Sequence, residues 1–500
     1  MKRTNQAHIG LELPLEYRRA LDGWSSGEGP LHRRLAAALA AAIQRGELLA
    51  GIRLPPERVL AAELAVGRGT VGAAYELLRR QGLVDRRQGR GTEILGTAGS
   101  VAGGRAAELA TSLQGNLLFR TLGEPADQTI NLLGTSTPPS PPIRAAIAAA
   151  LGALDVAALT ADHGYFPLGY PPLRRAVAAH LDARGLPTTD EQILITGGAQ
   201  QAISLLAGCW LRPGQLVVLE DPTFPGAIDA FRTAGAQILT VPVGEGGADV
   251  GLLADTVAQS AVQAVYLMPT FHNPTGAVMA EGARRQLGRL SRTTDVAIVE
   301  DNTLAELALT SEAPRPISAF APDAPVISIG SLSKLFWGGL RIGWIRGPAS
   351  VVAQLGRIKA VADLGTSLLS QAVAVALLGQ TEQILQFRRK ELVDRLGLLQ
   401  ALLEDLLPSW HWRPPPGGLS IWARLPHGSS LELGQVASRH GVLIAPGTVM
   451  SATGGFPDFL RLPFDHHPQA LQEGMRRLAR AWAEYGASSE PTAQRLDVIV

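Results

Sequence analysis

Short aliphatic runs alternating with longer segments of helical texture restrict the fold more than any other feature of the chain. From about Asp127 to residue 485, the runs QILIT, QLVVLEDP, AVYLMP, VAIVED and PVISIGS recur in this way. Strands joined through helices must cross over and lie parallel, and a parallel sheet needs cover on both faces. The alternation therefore predicts an α/β unit over 127–485 with a mostly parallel sheet. Before it, GTAGSVAGGRAAELATSLQG has little apolar periodicity and reads as part of a linker over 96–126. A self-contained unit precedes the linker, with its core at 31–95 and its outer limit at residue 15, and 486–500 reads as a flexible tail. Length alone suggests about three domains, and two large ones satisfy it as well.

Composition adds exclusions. Cys209 is the single cysteine, so no intramolecular disulfide forms, and its place in LLAGCWL suits a small buried hydrophobe better than a nucleophile. The start MKRTNQAHIG has no apolar stretch behind its two cations, and a reducing cytoplasm is the expected location. No apolar run approaches the roughly 18 residues of a membrane span, which excludes a membrane protein. No metal site is expected.

The net charge of +1 hides an uneven layout. Between Leu31 and Glu93 stand eleven arginines against six acids, an excess of five, so the remainder is slightly acidic. A solvated face meets such an excess in many proteins, but here the charges fall on an ordered pattern. Leu31, Leu35, Leu39 and Ile43 form one helical stripe that ends before Gly46. Pro55 and Pro56 suit the entrance of a second helix in PPERVLAAEL. A third helix, VGRGTVGAAYELLRRQG, puts Val71, Ala74, Tyr75 and Leu78 on one face, and LVDRRQGRGTEIL fits a hairpin with an arginine-bearing tip. Three helices and a basic hairpin make a winged helix-turn-helix, with the third helix in the major groove of double-stranded DNA.

LPPERVLAAELAVGRGTV followed by AAYELLRRQGLVDRRQGRGT resembles the DNA-binding head of the GntR family of bacterial regulators. The resemblance implies that Arg58, Arg68 and Thr70 approach DNA from the helix-turn-helix, while Gly89 and Arg90 belong to the wing. Arginine's planar fork suits paired bonds to phosphate or guanine. Gly67 stands where the family usually has Ser or Thr.

In the body, GYFPLGYPPLRRAVAAHL, ILITGGAQQAI, LEDPTFPG, MPTFHNPTG, VEDN and SLSKLFWGGLRIGW occur in order. Together they resemble fold-type I pyridoxal-phosphate enzymes, the aspartate aminotransferase superfamily. The resemblance implies an aminotransferase class I/II-like domain with a smaller α+β subdomain. Lys334 would hold pyridoxal 5'-phosphate as a Schiff base, and Asp301 would face the pyridine nitrogen. Asn273 would donate to the ring oxygen and Phe224 would stack on the ring. Gly198, Ala199 and Gln200 open a helix toward the phosphate, joined by Ser331, Ser333 and Arg341. Tyr165 matches a tyrosine that reaches the neighbouring subunit's phosphate, which implies a homodimer. Arg461 matches an arginine that clamps a substrate carboxylate. Thr303 stands where many relatives carry a tyrosine that bonds the phenolic oxygen.

A GntR-like head joined to an aminotransferase-like body is the arrangement of the MocR subfamily of transcriptional regulators. The resemblance implies a body that senses pyridoxal phosphate, or a small amine or amino-acid effector, through Lys334 and alters DNA affinity. The competing reading is a working aminotransferase with an accessory head. A third is a structural cofactor with the ligand bound elsewhere.

Overall fold

The computed structural model describes residues 21, 24, 29–44, 54–64, 66–80, 83–87, 91–94, 128–135, 138–294, 296–310 and 312–489. They fall into two compact units, divided at residues 116 and 117.

In the first unit, helices α1 (Leu31–Gln44), α2 (Glu57–Glu63) and α3 (Arg68–Arg80) precede strands β1 (Val84–Arg87) and β2 (Gly91–Ile94). Val71, Ala74, Tyr75 and Leu78 of α3 are all buried, as their spacing predicts. The stripe on α1 is narrower than its four residues: Leu35 and Leu39 are fully buried, Ile43 is half-buried and Leu31 is exposed. Steps of four advance about 40° each around a helix, so the ends of such a row slide off the packed face. Ala36 and Ala42 complete that face. Pro56 caps α2, and the Tyr75 hydroxyl donates to the Pro55 carbonyl at 2.8 Å, tying α3 to that entrance. β1 and β2 pair antiparallel from Val84↔Ile94 to Arg87↔Gly91. The hairpin tip with Gly89 and Arg90, and the linker over 96–126, lie outside the described residues.

The second unit is built on an eight-stranded sheet. After β3 (Ile130–Asn131), its strands are β4 (Ile193–Thr196), β5 (Leu216–Asp221), β6 (Gln237–Gly244), β7 (Gly247–Ala248), β8 (Val262–Leu267), β9 (Ala297–Asp301), β10 (Val326–Ser331) and β11 (Gly343–Arg346). The order is β4-β11-β10-β9-β8-β5-β6-β7. β10, β9, β8, β5 and β6 run parallel, while β11 is antiparallel to both its neighbours and β7 to β6. All five predicted runs are strands of this sheet. Side chains alternate between its faces: Val217, Leu219, Tyr266 and Val299 join one apolar cluster, and Val218, Val265, Leu267 and Ile298 the other. Each face is therefore covered, as parallel pairing demands.

A smaller antiparallel sheet follows, made of β12 (Ser420–Arg424), β14 (Ala445–Pro446) and β15 (Phe459–Pro463), with the two-residue β13 (Val442–Leu443) pairing instead with β3. A helix of 26 residues, Thr381–Leu406, leads toward it and buries Leu392, Leu396, Leu399 and Leu403 along one side. The final helix, Pro468–Ser489, continues past residue 486, and 490–500 of the expected tail lie outside the described residues.

Candidate cofactor site and DNA-binding face

β4, β5, β8, β9 and β10 end at the same edge of the large sheet, the edge where open α/β folds bind ligands. Gly198, Phe224, Asn273, Asp301 and Lys334 all lie at or just beyond those strand ends. At the first of them, Gly198 caps a helix that begins at Ala199, with φ of 117°. A Cβ on Gly198 would lie 3.2 Å from Nη2 of Arg341, a residue itself in the left-handed region. Free helix amides and a guanidinium thus face one small space, the arrangement that suits a dianion. Ser331 donates through Oγ to the Ser333 hydroxyl at 3.0 Å beside it. Gln200 Nε2 donates to the Gly226 carbonyl at 2.8 Å, and a Cβ on Gly226 would strike the Phe224 ring at 2.6 Å. Gly226 therefore leaves room for both the Phe224 ring and the Gln200 side chain.

Lys334 follows β10 by three residues, and its Nζ donates to both the carbonyl and the hydroxyl of Thr135 at 3.2 Å. Burial lowers its pKa to about 8; Asp465 opposes that shift, whereas Arg461 and Arg388 add to it. A lysine so placed is uncharged in about a tenth of molecules at pH 7, far more than an ordinary lysine, and the uncharged amine is the form that attacks an aldehyde. The cavity at Lys334 is lined by Ser333, Phe336, Arg388 and Asp465 among others.

Asp301 ends β9 and is buried. Period-two alternation sends its neighbour Glu300 to the other face, where Ser318, Ser328 and the amide of Ile317 bind it. Asp301 accepts from the Tyr266 hydroxyl at 2.7 Å and from the Thr303 amide at 2.9 Å. Burial raises its pKa, with Glu220 adding to the rise, while the donors from Thr303 and Tyr266 oppose it. Asn273 and Arg461 meet as well: Arg461 Nη1 donates to Asn273 Oδ1 at 3.1 Å, and Nη2 donates to the Leu133 carbonyl. Burial lowers the Arg461 pKa to about 10, opposed by Asp465, so the guanidinium stays charged.

Tyr165 is not part of this constellation within the chain. It is 60% exposed, with its ring stacked on His163. Reasoning from sequence did not select Tyr266, Glu220, Thr135, Arg388 or Asp465. The signal for Tyr266 was available in principle: it pairs with Val299 of β9, so its side chain shares a face with Asp301 two residues on.

In the first unit, Arg58 and Arg68 are exposed at the starts of adjacent helices, and Thr70 lies half-buried in the first turn of α3. Arg68 Nε reaches Glu57 Oε2 at 3.4 Å, so a carboxylate on α2 steers the arginine that begins α3. Sequence reasoning did not select Glu57.

Residues 129–478 match the family model for aminotransferase class I and II, and residues 31–94 match that for bacterial regulatory proteins of the gntR family. The chain is 30% identical over 470 residues to the uncharacterized HTH-type transcriptional regulator YdfD of Bacillus subtilis, covering 90% of this chain and 95% of that one. It is 28% identical over 396 residues to the probable rhizopine catabolism regulatory protein MocR of Rhizobium meliloti, covering 76% and 78%. Among solved structures it resembles LysN, the alpha-aminoadipate aminotransferase of Thermus thermophilus complexed with N-(5'-phosphopyridoxyl)-L-leucine. That match has a TM-score of 0.68 and 30% identity, and covers 77% of this chain and 99% of that one. Among the described residues, no helix is long and apolar enough to cross a membrane. A winged helix-turn-helix head and a fold-type I body in one chain leave one assignment: the protein belongs to the MocR-type branch of the gntR family of transcriptional regulators, in which an aminotransferase-like domain is joined to the DNA-binding domain.

Proposed function

We propose that this regulator binds pyridoxal 5'-phosphate at Lys334 and changes its affinity for operator DNA when a small amine or amino acid enters the same site. The observation that carries this reading is the convergence of three complementary groups at one sheet edge. A lysine lowered to about 8 stands there with a buried carboxylate, Asp301, and with an anion cradle of helix amides and Arg341. The cradle fits the cofactor's phosphate, and Asp301 fits a protonated ring nitrogen, which relieves the cost of a desolvated carboxylate. Bound there, pyridoxal phosphate supplies an aldehyde that combines reversibly with amines and a ring that withdraws electrons.

Each residue then has a physical task. Lys334 presents an amine whose neutral form is reached far more readily than in an ordinary lysine. Phe224 covers one face of the site and excludes water, and Ser331 and Ser333 add hydroxyls at the phosphate end. Arg461, oriented by Asn273 and the Leu133 carbonyl, offers a buried guanidinium to an effector carboxylate. Lys334 would hold the cofactor, and an effector bound more tightly in one state of the dimer would shift the populations. Arg58, Arg68 and Thr70, with Gly89 and Arg90, contact DNA in this reading. Tyr165 reaches across to the partner subunit from its exposed position. Coupling of about 1–3 kcal/mol suffices for a change of roughly 5- to 150-fold in DNA affinity.

The test is an absorbance spectrum from about 300 to 500 nm with added pyridoxal phosphate, followed by borohydride. The reading predicts a visible band that borohydride fixes and that Lys334→Ala abolishes. A band unchanged by Lys334→Ala overturns the attachment site, and catalytic release of keto acid with unmoved DNA affinity makes the protein an aminotransferase instead.

A further inference from the structure

Near Asp301 stand further buried polar groups that the reading above does not use. Tyr266 is fully buried on β8, and its hydroxyl meets Asp301 Oδ2 at 2.7 Å. Glu220, fully buried in β5, accepts from the Met268 amide at 2.6 Å, and His272 Nε2 lies 3.4 Å from the same oxygen. The His272 Nδ1 is 2.8 Å from the Thr275 hydroxyl. Burying a phenol, two carboxylates and an imidazole is costly, and each unmade hydrogen bond adds to that cost. A core that only needed packing would be better served by Phe and Leu at these positions.

We infer that Tyr266 is a positioning residue for the cofactor site, holding the Asp301 carboxylate in one orientation through its hydroxyl. The inference rests on the reading of Asp301 as the partner of the ring nitrogen. Asp301 takes one donor on each oxygen, Tyr266 on Oδ2 and the Thr303 amide on Oδ1, so the carboxylate plane is fixed and each oxygen keeps room for a further donor. Burial and the nearby carboxylates push the Tyr266 hydroxyl well above its usual acidity range, which keeps it a proton donor. A fixed carboxylate loses little freedom when the ring arrives, and the affinity gained is that of preorganisation.

Tyr266→Phe keeps the ring and removes the donor. In the full-length protein, pyridoxal phosphate affinity read by absorbance titration is expected to fall about tenfold, the usual scale for a hydrogen bond to a charged group. The visible band of the bound cofactor is expected to move or weaken, because the carboxylate opposite the ring nitrogen loses a donor and its fixed orientation. In an Asp301→Asn background, Tyr266→Phe is expected to add nothing, since its effect passes through the carboxylate. Thermal unfolding of the cofactor-free variant checks folding; if Tyr266→Phe does not fold, Tyr266→Met fills the space without a donor and carries the same comparison. Wild-type affinity and band in the variant overturn the inference, as does a loss that adds in full to that of Asp301→Asn. Absence of any band in the wild-type protein defeats the cofactor reading itself, which is a separate outcome.

Discussion

Lys334 combines a chemical role with an unusual electrostatic setting, and the setting fixes a pH dependence. Its pKa falls from 10.5 to about 8 because burial disfavours the ammonium form, with Asp465 opposing and the two nearby arginines assisting. The neutral amine is the attacking form, so its population rises as pH climbs and saturates above the pKa. The rate of pyridoxal phosphate uptake, followed by absorbance, is expected to rise roughly tenfold per pH unit below about 8 and level off above it. A rate still climbing at pH 10 contradicts the burial argument. Lys334, Asp301, Asn273, Arg461 and the Gly198 cradle could be named as candidates from sequence because each sits in a motif that resembles one of the aminotransferase superfamily. Tyr266, Glu220, Arg388 and Asp465 could not. Their roles depend on which strands pair and in what register, and on segments far apart in the chain meeting at one cavity.

At the scale of elements, the predicted strands are the runs whose side chains are buried on both faces, and such runs are uninterrupted in sequence. β6 escaped because only one of its eight residues is fully buried and Pro242 interrupts it, so no continuous aliphatic run marks it. Helix faces were legible where the apolar residues follow the true period, as on α3, and less so where steps of four overreach, as on α1. The first unit has an apolar cluster of its own, with Leu35, Leu39, Leu60, Val71 and Leu78 fully buried. A small domain with a single core has little stability to spare. Leu78→Ala should cost about 2–5 kcal/mol through lost burial and the cavity left behind. The expected result is weakened DNA binding with the cofactor band intact. Loss of the band together with DNA binding would show that the two units do not fold independently.

For the whole molecule, near-neutral net charge conceals a basic head of five excess positive charges on a slightly acidic body. That division matches the two family assignments: the head is suited to phosphate backbone and the body to a small ligand. Neither half alone implies regulation, and the fusion does so only if ligand and DNA are linked. The most direct test measures operator affinity at fixed salt while a candidate amine or amino acid is titrated and the cofactor band is recorded on the same samples. Arg68→Ala serves as the DNA-binding control. The account predicts that the band and the DNA affinity change over the same effector concentrations, that Lys334→Ala abolishes both responses, and that Arg68→Ala weakens DNA binding with the band unaltered. A band that shifts fully while DNA affinity stays constant would contradict it.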